Sequence, residues 1–425
     1  MIITASQIKR GDLQSIETEY VVIEEGCLKN FKDILIQNKI SGVVAGLFDS
    51  NTICAEGMFV PDLDQQIVLD AEGLHADEKA VEKTLSQLRC DVEVIAAFGS
   101  GTITDIARYC AKQKNLVLVC CPTAASVDGF CSSVCAMTFN GVKVTIPSVA
   151  PKIVVADLSV IKNAPKRLVK SGLGDILGKY VSLADWRIAH LINGEYYSED
   201  IMQLVCGALV SVTDLVKNNV LNGNEFYTQI TYALLLSGLA MQFIGSSRPA
   251  SGAEHHFSHL ISVAPPSLGI TSNALHGESV GIGTLALVGH YKNAVARMLK
   301  HDGCLQKIIA ELTKLRQNGN RLYGLDFYRR NFGTLAEQLY KENENDCLAS
   351  VKENLLKNNW KDVCQVIAEI PSVEELKAIY IKLGMKTDLS DIGVDESKKE
   401  LLVRLSPNIR NRLTLNRLLL LANLI

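Results

Sequence analysis

The first 160 residues alternate short apolar, β-branched runs with segments in which apolar residues recur every three or four positions. The runs are typical of buried strands, and the spaced segments are typical of amphipathic helices. We predict strands in "SGVVAGLFDS" (41–50), "VEVIAAFGSG" (92–101) and "NLVLVCCPT" (115–123), with a helix in "HADEKAVEKTLSQLR" (75–89). Strands interleaved with helices indicate a parallel or mixed sheet with helices on both faces. The N-terminal part is therefore expected to be an α/β domain.

From about residue 164 the pattern changes to long helical periodicities, as in "ILGKYVSLADWRIAHLI" (176–192) and "YTQITYALLLSGLAMQFIG" (227–245). The sequence therefore predicts an α/β domain over residues 1–163 and an all-α domain over residues 164–425. Residues from about 304 to 360 are rich in charge and helical in character. We interpret them as a solvated helical insertion that carries no identifiable chemistry.

Composition narrows the class of protein. With 48% hydrophobic and 21% charged residues, the chain is expected to fold rather than to be disordered. A net charge of −3 gives no broad attraction for nucleic acid or anionic lipid, so a small molecule is the expected partner. The start lacks a basic, apolar leader, and the late run "RLLLLANLI" is too short to span a bilayer, which predicts a cytoplasmic protein. The 12 cysteines include no CxxC pair, which disfavours a cysteine metal site.

Glycines follow one predicted strand at Gly99 and Gly101, and a helix is expected from about Thr102. Glycines at such a turn let the backbone approach a pyrophosphate, and the helix start offers free N–H groups and a positive dipole end. Because the third glycine of the usual fingerprint is missing, a plain strand-to-helix turn is an equal alternative. Asp49, just past an earlier strand, could accept hydrogen bonds from a ribose diol or could be an ordinary turn residue.

The stretch "CCPTAASVDGFCSS" follows the next predicted strand and offers four polar side chains, Thr123, Ser126, Asp128 and Ser132. Small hydroxyls beside a carboxylate at the carboxyl end of a strand suit a sugar or polyol. A capped turn built on Asp128 and the glycine after it explains the same residues equally well.

Histidines are concentrated in "EHHFSH" (254–259) and "LHGES" (275–279). In a helix, His255 and His259 share one face, whereas His256 is turned about 100° away from His255. Asp175 stands behind two glycines in "KSGLGDILGKY". Together with His255 and His276 it makes a set of two imidazoles and one carboxylate that leaves coordination positions open, as a catalytic divalent metal requires. The alternatives are a helix cap at Asp175 and three merely hydrogen-bonded polar residues.

These pieces, in this order, resemble the sn-glycerol-1-phosphate dehydrogenase family, in its bacterial AraM-type branch. That family belongs to the iron-containing alcohol dehydrogenase and dehydroquinate synthase-like superfamily. The resemblance is carried by five ordered motifs and a further one near the end: "GSGTITD" (99–105), "PTAASVDGFCSS" (122–133), "GLGDILGKY" (172–180), "RPASGAEHHFSH" (248–259), "LHGESVGIGTL" (275–285) and "IRNRLTLNRLL" (409–419).

The resemblance implies a dinucleotide-binding α/β domain, an all-helical C-terminal domain and an active site in the cleft between them. It implies that NAD(P) is bound by the glycine loop, by Thr123 and by Ser132, and that the metal ligands are Asp175, His255 and His276. Asp128 and His259 match substrate-contacting positions, Asp175 also lies near substrate, and His256 matches no functional position and is expected to be structural or at the surface. The loop residues expected at the cofactor are Gly99, Ser100, Gly101, Thr102, Ile103 and Thr104.

The implied reaction is NAD(P)H-dependent reduction of dihydroxyacetone phosphate to sn-glycerol 1-phosphate, and its reverse, in a homodimer. His259 is the expected proton donor, with Asp175 at the reacting centre, and Arg248 and Lys179 are candidates for the substrate phosphate. Zinc is the favoured metal, with Ni²⁺ or Fe²⁺ as alternatives for a set of this chemistry. The alternative functions are a polyol oxidoreductase resembling glycerol dehydrogenase and a cyclase resembling dehydroquinate synthase.

Overall fold

The computed structural model describes residues 1–4, 16–139, 142–300 and 303–423. An α/β part comes first and a mostly helical part follows, as the sequence predicts. The strands are β1 (Ile2–Thr4), β2 (Tyr20–Glu24), β3 (Val43–Asp49), β4 (Gln65–Leu69), β5 (Val92–Gly99), β6 (Val117–Pro122), β7 (Val134–Phe139), β8 (Val142–Pro147) and β9 (Ile153–Asp157). The α-helices are α1 (Phe31–Gln37), α2 (Glu78–Gln87), α3 (Gly101–Lys114), α4 (Leu158–Ile161), α5 (Lys166–Leu177), α6 (Lys179–Asn193), α7 (Glu199–Lys217), α8 (Gly223–Ile244), α9 (Ala253–Val263), α10 (His276–Lys300), α11 (Cys304–Gln317), α12 (Leu325–Phe332), α13 (Ala336–Glu342), α14 (Glu353–Asn358), α15 (Trp360–Glu369), α16 (Val373–Leu383), α17 (Lys399–Leu405) and α18 (Leu415–Leu421).

The chain forms two compact units, one of Met1–Ile176 with Gln203–Ser247 and one of Leu177–Met202 with Arg248–Ile425. The boundaries of these two units do not coincide with residue 163, where the sequence pattern changes. The predicted division into domains over 1–163 and 164–425 stays a prediction.

A seven-stranded sheet in the order β1-β2-β9-β6-β5-β3-β4 is the centre of the first unit. β1 is antiparallel to β2, and the other neighbouring strands of this sheet are parallel. Successive side chains of β5 enter different hydrophobic clusters, with Phe98 packed under α1 and Ala97 packed under α3. Because alternate residues of a strand point to opposite faces, both faces of the sheet are covered. This explains why β5 is continuously apolar from Val94 to Gly99.

The carboxyl ends of the parallel strands lie at one edge of the sheet. β5 and β6 are in register at Gly99 and Pro122, and β3 pairs with β5 at Leu47 and Ala97, so Asp49 is level with Gly99. The chain leaves β5 towards β6 on one side and leaves β3 towards β4 on the other. Such a switch of direction opens a crevice at the carboxyl ends of the strands, where ligands bind open α/β sheets.

The second unit is helical, and its interior contains charged side chains as well as apolar ones. Arg417 of α18 is fully buried and forms an ion pair with Asp346, whose side chain is 1% exposed, at 2.7 Å. Asp346 belongs to the charged region that the sequence suggests is a solvated insertion. The helical character of that region is confirmed, but it also buries apolar side chains, among them Ile308, Leu312, Tyr328 and Leu356. It is therefore packed into the second unit.

Candidate active site

The glycine turn after β5 opens α3. A Cβ at Gly99 would lie 2.4 Å from the Cβ of Ile103, so this position has no room for a side chain. The first intrahelical hydrogen bond runs from the Thr104 N–H to the Ser100 carbonyl at 3.0 Å. The N–H groups that precede it belong to the first turn, which a helix leaves for other partners. The turn therefore has the geometry that an anionic group needs.

Two of the six predicted loop residues direct their side chains inward. Ile103 is 1% exposed and packs in the hydrophobic cluster beneath α3. The Thr104 hydroxyl lies 3.8 Å from the Cys120 sulfur in the interior. Any contact of these two residues with a cofactor would therefore be made by the backbone. The side chains of Ser100 and Thr102 are half-buried.

Substitutions at Gly99 and Gly101 distinguish the contribution of this turn to stability from its proposed role in binding the cofactor. We expect Gly99→Ala to lower the free energy of unfolding by about 1–3 kcal/mol, because its Cβ overlaps Ile103. Gly101→Ala places its Cβ 3.5 Å from Val127 Cγ2, an ordinary contact, so the fold should be retained. Its methyl group would instead hinder a pyrophosphate and raise the KM for NAD(P)H. Urea denaturation measures the free energy of unfolding, and initial rates give the KM for NAD(P)H. An unchanged KM in Gly101→Ala would contradict the expected cofactor position.

Two of the other residues expected at the cofactor, Asp49 and Thr123, lie at the ends of strands at the same edge of the sheet. The Thr123 N–H donates to the Gly99 carbonyl at 3.2 Å, which joins the end of β6 to the glycine turn. The Ser132 hydroxyl accepts from the Val134 N–H at 3.1 Å. Asp49 Oδ1 accepts from the N–H groups of Asn51 and Thr52, at 2.9 and 2.8 Å. One Asp49 oxygen thus stabilises the turn, which agrees with the alternative interpretation of Asp49 as an ordinary turn residue.

Asp128 is buried in the loop after β6. Its Oδ2 accepts a hydrogen bond of 2.9 Å from Ser237 of α8. Arg108 of α3 fixes the same loop, because its guanidinium donates to the carbonyls of Gly129 and Phe130 at 2.9 Å each. Sequence reasoning did not identify Ser237 or Arg108. The only local signal is a lone arginine on the apolar side of a helix.

Asp175, His255 and His276 converge. One ligand atom from each of these side chains lies within 4.8 Å of the other two. Asp175 is fully buried and His255 is 5% exposed. The imidazole ring centroids of His255 and His276 are 5.2 Å apart. Two imidazole nitrogens and one carboxylate oxygen at this spacing fit a divalent ion such as Zn²⁺, Ni²⁺ or Fe²⁺.

Glu254 contacts His255, one of the three residues of this cluster. It is fully buried, and its Oε1 lies 2.6 Å from His255 Nδ1. The same oxygen accepts from the Gly252 N–H at 2.8 Å. An ionised carboxylate can only accept, so such a partner would place the His255 proton on Nδ1 and leave the Nε2 lone pair for an ion. Carboxylate partners of this kind fix the tautomer and the ring orientation of metal-binding histidines. Glu254 was not identified from sequence, although it begins the "EHHFSH" stretch.

A second buried carboxylate, Asp185 of α6, holds the start of α9. It accepts from the N–H groups of Ala253 and Leu415, at 2.9 Å each, and from the Tyr291 hydroxyl at 3.0 Å. Burial raises the pKa of Asp185 to about 7. A Cβ at Gly252 would lie 2.8 Å from both Asp185 Oδ2 and Glu254 Oε2, so the loop before α9 needs a glycine.

His259 and His256 have different surroundings on α9. His259 follows His255 by one helical turn, is half-buried, and its ring centroid is 6.1 Å from that of His276. His256 is 2% exposed, and neither ring nitrogen has a hydrogen-bond partner among the described residues. Burial, and then the charge of Arg412, lowers the pKa of His256 well below its usual value. His256 is thus an interior residue, so the structural option of its two expected positions is the correct one.

The two cations suggested for the substrate phosphate have other contacts. Arg248 is 7% exposed, and its Nε and Nη2 donate to the two Glu195 carboxylate oxygens at 2.5 Å each. Lys179 is 2% exposed and donates to the Ala250 carbonyl at 2.8 Å. These bonds tie α6 and the residues that follow it to the loop before α9, which favours structural roles for both cations.

The sequence of this chain is similar to those of known proteins. Residues 22–165 match the family model for iron-containing alcohol dehydrogenase. The glycerol-1-phosphate dehydrogenase (NAD(P)+) of Bacillus velezensis is 42% identical over 230 residues, which cover 52% of this chain and 56% of that relative. The enzyme of the same name from Geobacillus thermodenitrificans is 30% identical over 424 residues, which cover 97% of this chain and 94% of the relative.

The fold also matches solved structures. The crystal structure of a probable glycerol dehydrogenase from Sinorhizobium meliloti 1021 superposes with a TM-score of 0.61 at 16% identity, over 98% of this chain and 97% of that one. The fold is thus that of the iron-containing alcohol dehydrogenase superfamily. Within it, the chain belongs to the glycerol-1-phosphate dehydrogenase family, as its motifs predict. In the part of the chain that the structure describes, no helix is long and apolar enough to cross a membrane.

Proposed function

We propose that this chain is a metal-dependent dehydrogenase that uses NAD(P)H to reduce dihydroxyacetone phosphate to sn-glycerol 1-phosphate and catalyses the reverse oxidation. The observation that carries the proposal is the convergence of Asp175, His255 and His276 within 4.8 Å in a chain of this family. The substrate and the cofactor in this proposal are inferred from the names of the relatives. A cytoplasmic homodimer is part of the proposal.

A divalent ion held by Asp175, His255 and His276 would act as a Lewis acid towards the C2 carbonyl of the substrate. The edge of the sheet at Gly99, Ser100 and Thr123 would hold the dinucleotide, with its pyrophosphate at the start of α3. A nicotinamide bound there would supply the hydride for C2, and the C2 oxygen would then need a proton. His259 would deliver a proton to that oxygen, directly or through water, because an imidazole suits proton transfer at neutral pH. Asp128 would accept from a substrate hydroxyl.

Comparative initial rates test the proposed reaction. We expect the metal-loaded protein to consume one NAD(P)H for each dihydroxyacetone phosphate reduced, and to use unphosphorylated dihydroxyacetone poorly. A cyclase resembling dehydroquinate synthase would show no net consumption of NAD(P)H. A dehydrogenase specific for unphosphorylated polyols would reverse the order of the two substrates. Zinc, nickel and iron are compared in separate reconstitutions, since this ligand set accepts each of them.

Asp49 is the proposed determinant of cofactor preference. Its position level with Gly99 would place the carboxylate near the adenosine ribose, where it can accept from the diol and repel a 2′-phosphate. We expect the wild type to prefer NADH. Asp49→Ser retains an oxygen for the turn and should improve NADPH use relative to NADH by about tenfold, equivalent to ~1.4 kcal/mol. The ratio of kcat/KM for the two cofactors measures this shift. A wild type that already favours NADPH would contradict the assignment.

A further inference from the structure

Two buried serines join the helices that carry the proposed histidine ligands. His255 lies on α9, and α10 begins at His276. Ser258 of α9 and Ser279 of α10 are both fully buried. Their hydroxyl oxygens are 2.6 Å apart, and the Ser279 hydroxyl donates to the His276 carbonyl at 2.8 Å. Each serine follows its helix's candidate ligand by three positions, which is less than one helical turn.

The hydrogen bonds of this serine pair form a chain. A hydroxyl has one proton, and the Ser279 proton goes to the His276 carbonyl. The Ser258 proton therefore goes to the Ser279 oxygen, since the His276 carbonyl is farther from Ser258, at 3.5 Å. Successive hydrogen bonds of this kind polarise and strengthen one another. The backbone of His276 is thus bonded, through Ser279, to the helix that carries His255.

The two helices also approach closely at a glycine of α10. Gly283 follows Ser279 by four positions, so both residues lie on one face of the helix. A Cβ at Gly283 would lie 2.9 Å from the Glu254 carbonyl oxygen and 3.1 Å from Phe257 Cδ1. This spacing leaves no room for a side chain at Gly283. The serine pair and Gly283 therefore fix the distance between α9 and α10 at two successive turns.

The position of His276 in its helix explains why such contacts matter. The terminal residues of a helix fray more readily than interior ones. Here the Glu278 carboxylate accepts from the Leu275 N–H at 2.9 Å, and Ser279 holds the His276 carbonyl. A binding group that is fixed before its ligand arrives loses less conformational entropy on binding. The ring centroids of His255 and His276 are 5.2 Å apart, so a change in the helix crossing would change the distance between their nitrogens.

We propose that Ser258 and Ser279 are positioning residues that hold His276 at the distance from His255 that a bound divalent ion requires. This inference rests on the proposed function, through its metal site, and does not depend on the identity of the substrate. The two hydroxyls act through the backbone of His276. A serine that only bonds the backbone of its own first helical turn would explain Ser279, but it would give the bond from Ser258 no effect on the ion.

The Zn²⁺ affinity of serine variants tests the inference. Competition with a chelator gives the dissociation constant of Zn²⁺ from the full chain, and no turnover is needed. We expect Ser279→Ala, which removes both hydrogen bonds, to weaken Zn²⁺ binding by ~10²-fold, and Ser258→Ala, which removes only the bond between the helices, by ~10-fold. The double variant should match Ser279→Ala within about twofold, because Ser258 acts through Ser279.

Thr284→Val is the matched control for these variants. It removes another buried hydroxyl of α10, which donates to the Val280 carbonyl of the same helix at 2.9 Å. We expect its Zn²⁺ affinity to equal that of the wild type. Urea denaturation of the chelator-treated proteins should show a lower midpoint for Thr284→Val and for Ser258→Ala, since each loses a buried hydrogen bond. A loss of stability alone would therefore not reproduce the loss of Zn²⁺ affinity.

Unchanged Zn²⁺ affinity in Ser258→Ala would overturn the inference. Equal losses in Ser258→Ala and Thr284→Val would also overturn it, as would a double variant whose loss is the product of the two single losses. If the wild type does not bind Zn²⁺, the inference falls. If it binds Zn²⁺ but does not reduce dihydroxyacetone phosphate, the proposed reaction fails and the affinities still decide the inference. Should Ser279→Ala not fold, the comparison of Ser258→Ala with Thr284→Val decides it.

Discussion

His255→Ala and His276→Ala are each expected to lose the bound divalent ion and the dehydrogenase activity together. The proposed site has three candidate ligands, Asp175, His255 and His276, so each substitution removes a third of them. Loss of an outer partner of a ligand typically costs about 10–100-fold in metal affinity, and loss of the ligand itself should cost more. Competition with a chelator gives the affinity, and elemental analysis of the dialysed protein gives the stoichiometry.

His256→Leu is the control for both variants. The wild-type ring is buried without a hydrogen-bond partner among the described residues, so a leucine of similar volume should be tolerated. It should keep the ion and most of the activity. His256→Ala should also retain most activity, although it leaves a cavity. A His255 or His276 variant with stoichiometric metal and near-normal turnover would rule out the ligand assignment.

His259→Ala should leave the metal content near normal and lower kcat. His259 shares a face of α9 with His255, but it is not one of the three converging ligands. General acid–base groups typically contribute ~10²–10⁴-fold, and a loss in that range would fit the proposed proton donor. Elemental analysis and steady-state kinetics on the same preparation separate the two effects.

His259→Asn refines this second result. Its amide can donate a hydrogen bond but does not titrate, so it should recover substrate affinity better than rate. Metal loss in both His259 variants would mean that His259 is a ligand or supports one. The division of tasks between His255 and His259 would then be wrong.

The sequence allows the sheet and the ligand set to be predicted because both have local signals. The central strands β3, β5 and β6 are rich in apolar residues because both faces of the sheet are covered. Gly99 marks a turn in which a side chain has no room. Imidazoles and a carboxylate in ordered motifs indicate metal ligands, although their convergence depends on the fold.

Other contacts depend on residues that are far apart in the chain and leave no local signal. The Asp346 carboxylate pairs with Arg417, 71 positions away. In a segment rich in exposed charge, nothing distinguishes this one buried aspartate from its solvated neighbours. Arg248 is bound by Glu195, 53 positions earlier, and its proximity in sequence to the histidines gives no indication of this contact. Glu254 stands beside His255, but only the structure shows that its carboxylate faces the ring.

Reconstitution of the metal-free protein, followed by analysis of the product, tests most directly whether the chain is a metal-dependent dehydrogenase that forms sn-glycerol 1-phosphate. Protein stripped with a chelator is assayed for NADH oxidation with dihydroxyacetone phosphate before and after addition of Zn²⁺, Ni²⁺ or Fe²⁺. We expect turnover to require one of these ions, and we expect enantiospecific analysis to identify the product as sn-glycerol 1-phosphate. Full activity in the stripped protein, no activity with any of the ions, or formation of the opposite enantiomer would contradict the proposed function.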